Sequence, residues 1–210
     1  MLYELLTTIT TLSLNLIEQS GYFGIFAISF LENVFTPIPS EAVIPFAGVL
    51  VSQGRFDLSL VILAATAGSL AGAYVFYGFG YMLGSHRVRA WIVRWGRYVF
   101  VSETDLDRAE HWFAKYEDWA VLVCRIVPLV RSFISIPAGY VKMPILKFTV
   151  LTALGTAIWS SFLVYLGIAL GNSYTAFIPV FRKLDLVFAG LVFILVMYYV
   201  FAKLRSRKTV

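Results

Sequence analysis

The sequence predicts an all-α polytopic membrane protein. Two re-entrant helical hairpins stand in an inverted repeat, each is followed by a transmembrane helix, and one more transmembrane helix closes the chain. Three observations predict this. The 210 residues are 60% hydrophobic with a mean hydropathy of +0.81, more than a soluble single domain of this length can bury. Residues 58–84 and 148–170 are apolar spans, each long enough to cross a hydrocarbon core of about 30 Å. Each span is preceded by an apolar stretch broken by prolines and charges, which no simple membrane helix tolerates.

In order along the chain, residues 1–20 are apolar but rich in Thr and Ser, with Glu4 and Glu18 at their flanks. They are short for a span and read as an interfacial helix. Residues 22–50 form the first hairpin, which holds Glu32 and Glu41 together with Pro37, Pro39 and Pro45. A charge at the centre of a membrane helix costs about 2.5–3.5 kcal/mol on insertion scales, and proline breaks a helix at a cost of about 3 kcal/mol. Broken backbone at that depth survives only inside protein or beside a wet cavity. A short helix in, a Pro-Ile-Pro turn and a short helix out satisfy both constraints.

Val51–Asp57 is a polar turn, and the first transmembrane helix follows over 58–84. Within it the pairs Gly68/Gly72 and Gly80/Gly84 sit one turn apart, where small residues let helices approach closely. No Gly-Lys-Ser/Thr follows, so a phosphate loop is discounted. Residues 85–118 are an amphipathic segment. Val88, Trp91, Ile92, Trp95 and Val99 share one helical face, with arginines mostly off it, which suits an anionic leaflet surface. Ser102–Asp105 opens a further helix whose acids form a solvated face. The second hairpin, 119–140, holds Arg125, Arg131, Pro128 and Pro137, and ends in Ala138-Gly139 as the first ends in Ala47-Gly48. The spans at 148–170 and 186–202 complete the chain before the basic cluster Lys203–Lys208.

If the hairpins do not cross, residues 85–118, 141–147 and the C-terminus share one side. That side holds twelve of the 17 lysines and arginines, against three on the other, which places the C-terminus in the cytoplasm of a multi-pass inner (plasma) membrane protein. The net charge of +5 is therefore a topology signal and not a nucleic-acid footprint. A lone cysteine, Cys124, excludes an internal disulfide framework. His86 and His111 lack metal-ligand spacing, and neither a metal nor a cofactor is expected. No signal peptide is evident at Met1-Leu-Tyr-Glu-Leu.

Paired interrupted segments in corresponding halves point to a transporter's binding site. Here the first copy brings acids and the second brings bases. The residues Glu32, Pro37, Pro39 and Glu41, then Ala47-Gly48, the Gly-rich span, and Arg125, Pro128 and Arg131 with Ala138-Gly139, resemble the DedA family. That family is also known as the VTT or SNARE-associated Golgi protein superfamily, and the resemblance covers about residues 20–171. It implies a fold with two facing re-entrant hairpins and a role in lipid translocation, of undecaprenyl phosphate or phospholipids in bacteria. It also implies functional roles for Glu32, Glu41, Arg125 and Arg131.

A lipid phosphate crossing a bilayer must stay charge-compensated throughout. Arginine meets phosphate oxygens with a planar, permanently charged fork, which assigns the phosphate to Arg125 and Arg131. Glu32 and Glu41 then serve as counter-ions that hold the arginines while the site is empty and can take up a proton. The structural alternative is that all four brace one hairpin against the other. Pro37, Pro39, Pro128 and Pro137, with Gly48 and Gly139, shape the hairpins. The expected function is a flippase or scramblase for undecaprenyl phosphate, with proton coupling and a homo-oligomer admitted. A phosphatidylethanolamine scramblase is the alternative. A membrane lipid phosphatase, the second alternative, needs a nucleophile or a histidine near the arginines, and both histidines fall in the amphipathic segment. An ion channel would need polar-lined continuous helices, which the two long spans lack.

Overall fold

The computed structural model describes residues 2–34, 40–95, 103–126 and 130–173, with Gly190, Ile194 and Met197 as single helical positions. Seven helices are described: α1 (Leu2–Val34), α2 (Ser40–Ser52), α3 (Leu58–Trp95), α4 (Glu103–Cys124), α5 (Val130–Phe133), α6 (Ser135–Tyr140) and α7 (Ile145–Leu170). A short 3-10 turn, Gly171–Ser173, follows α7. No strand occurs among the described residues. The expected last span, 186–202, lies outside them apart from those three positions.

Three of the helices are bent, and the bends fall near the segment boundaries expected from composition. Gly21 has φ 60° and bends α1 between the expected N-terminal helix and the expected start of the 22–50 segment. Gly84, with φ 58°, bends α3 where the 58–84 span ends. Only glycine reaches that region of φ without a steric penalty. Gly84 therefore acts as a bend and not as the packing glycine its spacing suggested: a Cβ there would meet nothing. Tyr116 interrupts α4 just before the second hairpin. The expected start of the following span at 148 moves back to Ile145, because Pro144 breaks the preceding turn and opens α7.

Two apolar cores form. One joins Ile17, Ile25 and Ile28 of α1 to Val43, Ala47 and Leu50 of α2, Val61 and Ala65 of α3, and Leu163 and Val164 of α7. The other joins Ala73 and Tyr77 of α3 to Val121 of α4, Ala138 of α6 and Phe148 of α7. The start of α3 thus packs with the end of α7, and the reverse holds in the second core, so the two long helices run antiparallel.

Their contacts with α2 and α6 are both made through glycine pairs. Gly48 of α2 faces the Val164 carbonyl while Gly167 of α7 faces the Pro45 carbonyl; Gly139 of α6 faces the Tyr77 carbonyl while Gly80 of α3 faces that of Ile136. The short helix α2 therefore packs on α7, and α6 packs on α3. α1 packs on α3, at Gly68 against Phe26, and the end of α4 packs on α7, at Gly155 against Leu122 and Arg125. The Asp57 amide donates to the Tyr22 hydroxyl at 2.8 Å, and Lys147 pairs with Asp118 at 2.5 Å.

The outer surface of α7 is apolar, with Leu146, Val150, Leu154, Ile158 and Phe162 exposed. Its inner face holds Thr152, Gly155, Thr156 and Ser160, all buried. An apolar outside around a polar inside inverts the soluble pattern and suits a lipid surround. Two helical stretches, Leu58–Gly84 and Ile145–Leu170, are long and apolar enough to cross a membrane.

Candidate functional site

Between the two apolar cores lies a polar layer at mid-length of α3 and α7. On α1, Ser29, Glu32 and Asn33 follow one another at helical spacing, and all three are buried. Asn33 donates from Nδ2 to the Ser69 carbonyl of α3 at 3.0 Å, which ties the end of α1 to the centre of the long helix. Glu32 is 6% exposed and Arg131, in α5, is 8% exposed. Their side chains meet in an ion pair between Oε1 and Nη2. One of the two expected acids, Glu32, and one of the two expected arginines, Arg131, are thus brought together.

Arg125 sits at the broken end of α4 and is 1% exposed. Its stem fits because position 155 of α7 is glycine; a Cβ there would come within 2.8 Å of the arginine's own Cβ. Nη2 donates to Ser135 Oγ at 2.7 Å and to Thr152 Oγ1 at 3.3 Å. The Phe148 ring lies 5.7 Å from the guanidinium carbon. Nε and Nη1 are buried with no hydrogen-bond partner among the described residues. Among the described residues Arg125 has neutral neighbours and no carboxylate. A buried charge left this way is expensive unless something pairs with it. Of the five N–H groups of its guanidinium, three are thus left without an acceptor among the described residues.

The remaining expected positions are placed as follows. Glu41 lies in the first turn of α2 by backbone alone, its side chain outside the described residues. Pro37, Pro39 and Pro128 lie outside them entirely. Pro137 is within α6, and Gly48 and Gly139 are the close-contact glycines described above. Four contributors escaped the sequence reading: Ser135, Phe148, Thr152 and Gly155. A visible signal existed for Thr152, since Thr152, Thr156 and Ser160 recur every fourth residue through an otherwise apolar span. No group of three His, Cys, Asp or Glu able to hold a metal occurs among the described residues.

Fold and site together define an all-helical membrane protein with a buried ion pair and a buried arginine inside an apolar shell. The chain belongs to the VTT domain family, whose model matches residues 38–169. It is 37% identical over 186 residues to an "Alkaline phosphatase-like protein" of Lactococcus lactis subsp. lactis (strain IL1403), covering 87% of each chain. It is 32% identical over 194 residues to "Undecaprenyl phosphate transporter A" of Staphylococcus aureus (strain NCTC 8325 / PS 47), covering 92% of this chain and 96% of that one. It is also 36% identical over 172 residues to the Bacillus subtilis (strain 168) protein of the same name, covering 81% and 78%. No solved structure matches.

Proposed function

We propose that this protein moves a lipid phosphate, undecaprenyl phosphate first of all, between the leaflets of the cell membrane. The observation that carries the reading is Arg125: a guanidinium withdrawn from solvent, with Nε and Nη1 unpartnered. A phosphate entering the polar layer supplies the missing acceptors in the bidentate geometry that arginine favours. Arg131 supplies the second fork. Because Glu32 already pairs with it, phosphate must displace a carboxylate, and protonation of Glu32 eases that exchange. Transport is then linked to protons, with Glu41 as a second acid. The two relatives named undecaprenyl phosphate transporter A support the substrate.

The membrane arrangement belongs to the same proposal. Residues 22–50 and 119–140 enter and leave the membrane from opposite faces, their tips meet at the Glu32–Arg131 pair, and the C-terminus is cytoplasmic. The shared mouths at Tyr22–Asp57 and Asp118–Lys147 and the swapped glycine contacts support an inverted repeat.

A second reading, removal of the phosphate instead of its movement, is favoured by the name of the Lactococcus relative. Reconstitution separates the readings. Liposomes holding the purified protein should move fluorescent undecaprenyl phosphate faster than labelled phosphatidylethanolamine, and should release no inorganic phosphate. Equal rates for both lipids would make the protein a general scramblase. Phosphate release without movement would make it an enzyme.

A further inference from the structure

We propose a second lipid site, separate from the arginines: a cleft at the membrane interface that holds one anionic phospholipid by its phosphate. The cleft, about 680 Å³, opens between the last turns of the α3 span and the turn joining α6 to α7. It is lined by Tyr74, Tyr77, Tyr81 and Met82 of α3, and by Lys142 and Ile145 from the other side of the cleft. Met82 is 74% exposed and Ile145 59%, so the wall continues into the apolar outer surface where acyl chains lie. Tyrosine at this level is the ordinary lining of a membrane interface.

Lys142 is the charged residue of that lining. Among the described residues it makes no ion pair, and its Nζ stands 5.8 Å from the centre of the Tyr81 ring. Its backbone is unusual. With φ 57° it is the only non-glycine residue in the left-handed region among the described residues, at a helix end where glycine is the default. The turn is pinned on both sides. Tyr77 donates its hydroxyl to the Met143 carbonyl at 2.6 Å, and the Val141 and Met143 amides donate to the Pro137 and Ala138 carbonyls, each at 3.0 Å. A long cationic side chain held at a position that disfavours it, beside an apolar cleft, points to use of its charge. The occupant is a phospholipid of net negative charge, because the lining offers one cation and no acid for a zwitterion's ammonium group. The arginine site is distinct: Phe148, fully buried, packs 4.7 Å from Tyr77 and 5.7 Å from the Arg125 guanidinium, separating cleft wall from arginine by one ring.

The test is native mass spectrometry of the protein released from nanodiscs of equal phosphatidylglycerol and phosphatidylcholine, with thermal unfolding of each variant alongside. The wild type should retain phosphatidylglycerol in preference. Lys142→Gly and Lys142→Asn, which suit the left-handed backbone, should lower that preference about fivefold, the effect of one lysine at an anionic surface, at an unchanged or higher unfolding midpoint. Lys142→Arg should keep it. An unchanged preference in the glycine and asparagine variants overturns the site. So does a preference lost only in Arg125→Lys, which would assign the lipid to the arginines. A lower midpoint in both variants would make Lys142 a brace of the turn. Failure of the transport reading would show separately, in the reconstituted assay, and leaves this result untouched.

Discussion

At the scale of the residue, Arg125 separates function from bracing. A buried cation without a carboxylate partner among the described residues destabilises the empty protein, so a shape-matched apolar residue should relieve it. Arg125→Met is expected to raise the unfolding free energy by about 1 kcal/mol or more while abolishing transport; a fold that collapses instead would identify the arginine as structural. Arg125→Lys keeps the charge but loses the fork, and should slow transport about ten- to hundredfold, the worth of one charge-assisted hydrogen bond. Glu32 makes the complementary case. Glu32→Gln removes the carboxylate that competes for Arg131, so lipid binding should persist while the dependence of flipping on pH flattens. A wild-type pH profile in that variant would remove the proton from the mechanism.

At the scale of the element, neighbouring glycines on α3 have opposite duties. A Cβ at Gly80 would run into the Ile136 carbonyl, whereas one at Gly78 would meet nothing within 4 Å. Gly80→Ala should therefore push α6 off α3 at a cost of about 1–3 kcal/mol. Gly78→Ala should be neutral or stabilise the helix by about 0.5–1 kcal/mol, the helical penalty of glycine removed. Thermal unfolding of the two variants in one detergent is the measurement, and equal shifts would refute the close packing. The same contrast explains α7. Its inward face must be small enough at Gly155 and Gly167 for backbone contact and polar enough at Thr152 to receive Arg125.

At the scale of the whole molecule, the buried charges among the described residues, Glu32, Arg125 and Arg131, gather in one layer. Two apolar cores lie on either side of the polar layer, and α3 and α7 contribute to all three. Each short helix is held by a long helix far from it in sequence, α2 by α7 and α6 by α3. Single cysteines placed in a Cys124→Ala background test the arrangement. Positions 20 and 53 should label from one face of the membrane, and positions 115 and 146 from the other. Labelling of 20 and 53 from opposite faces would turn the first hairpin into two spans.

The sequence by itself determined the membrane class, the two long helices, and the location of the breaks near positions 21, 84 and 118. These depend on composition and hydropathy over short windows, and on glycine and proline, whose backbone limits act locally. It also set acids on one hairpin against arginines on the other. Which acid meets which arginine was left to the tertiary structure. So was the setting of Arg125, whose partners Ser135 and Thr152 come from two different helices. Gly80 and Gly84 look alike in a pattern of small residues, yet one faces a carbonyl of α6 and the other bends its own helix. The difference is physical: a window of sequence holds the forces within one segment, but the neighbour of a glycine or of a buried guanidinium is supplied by a segment far along the chain.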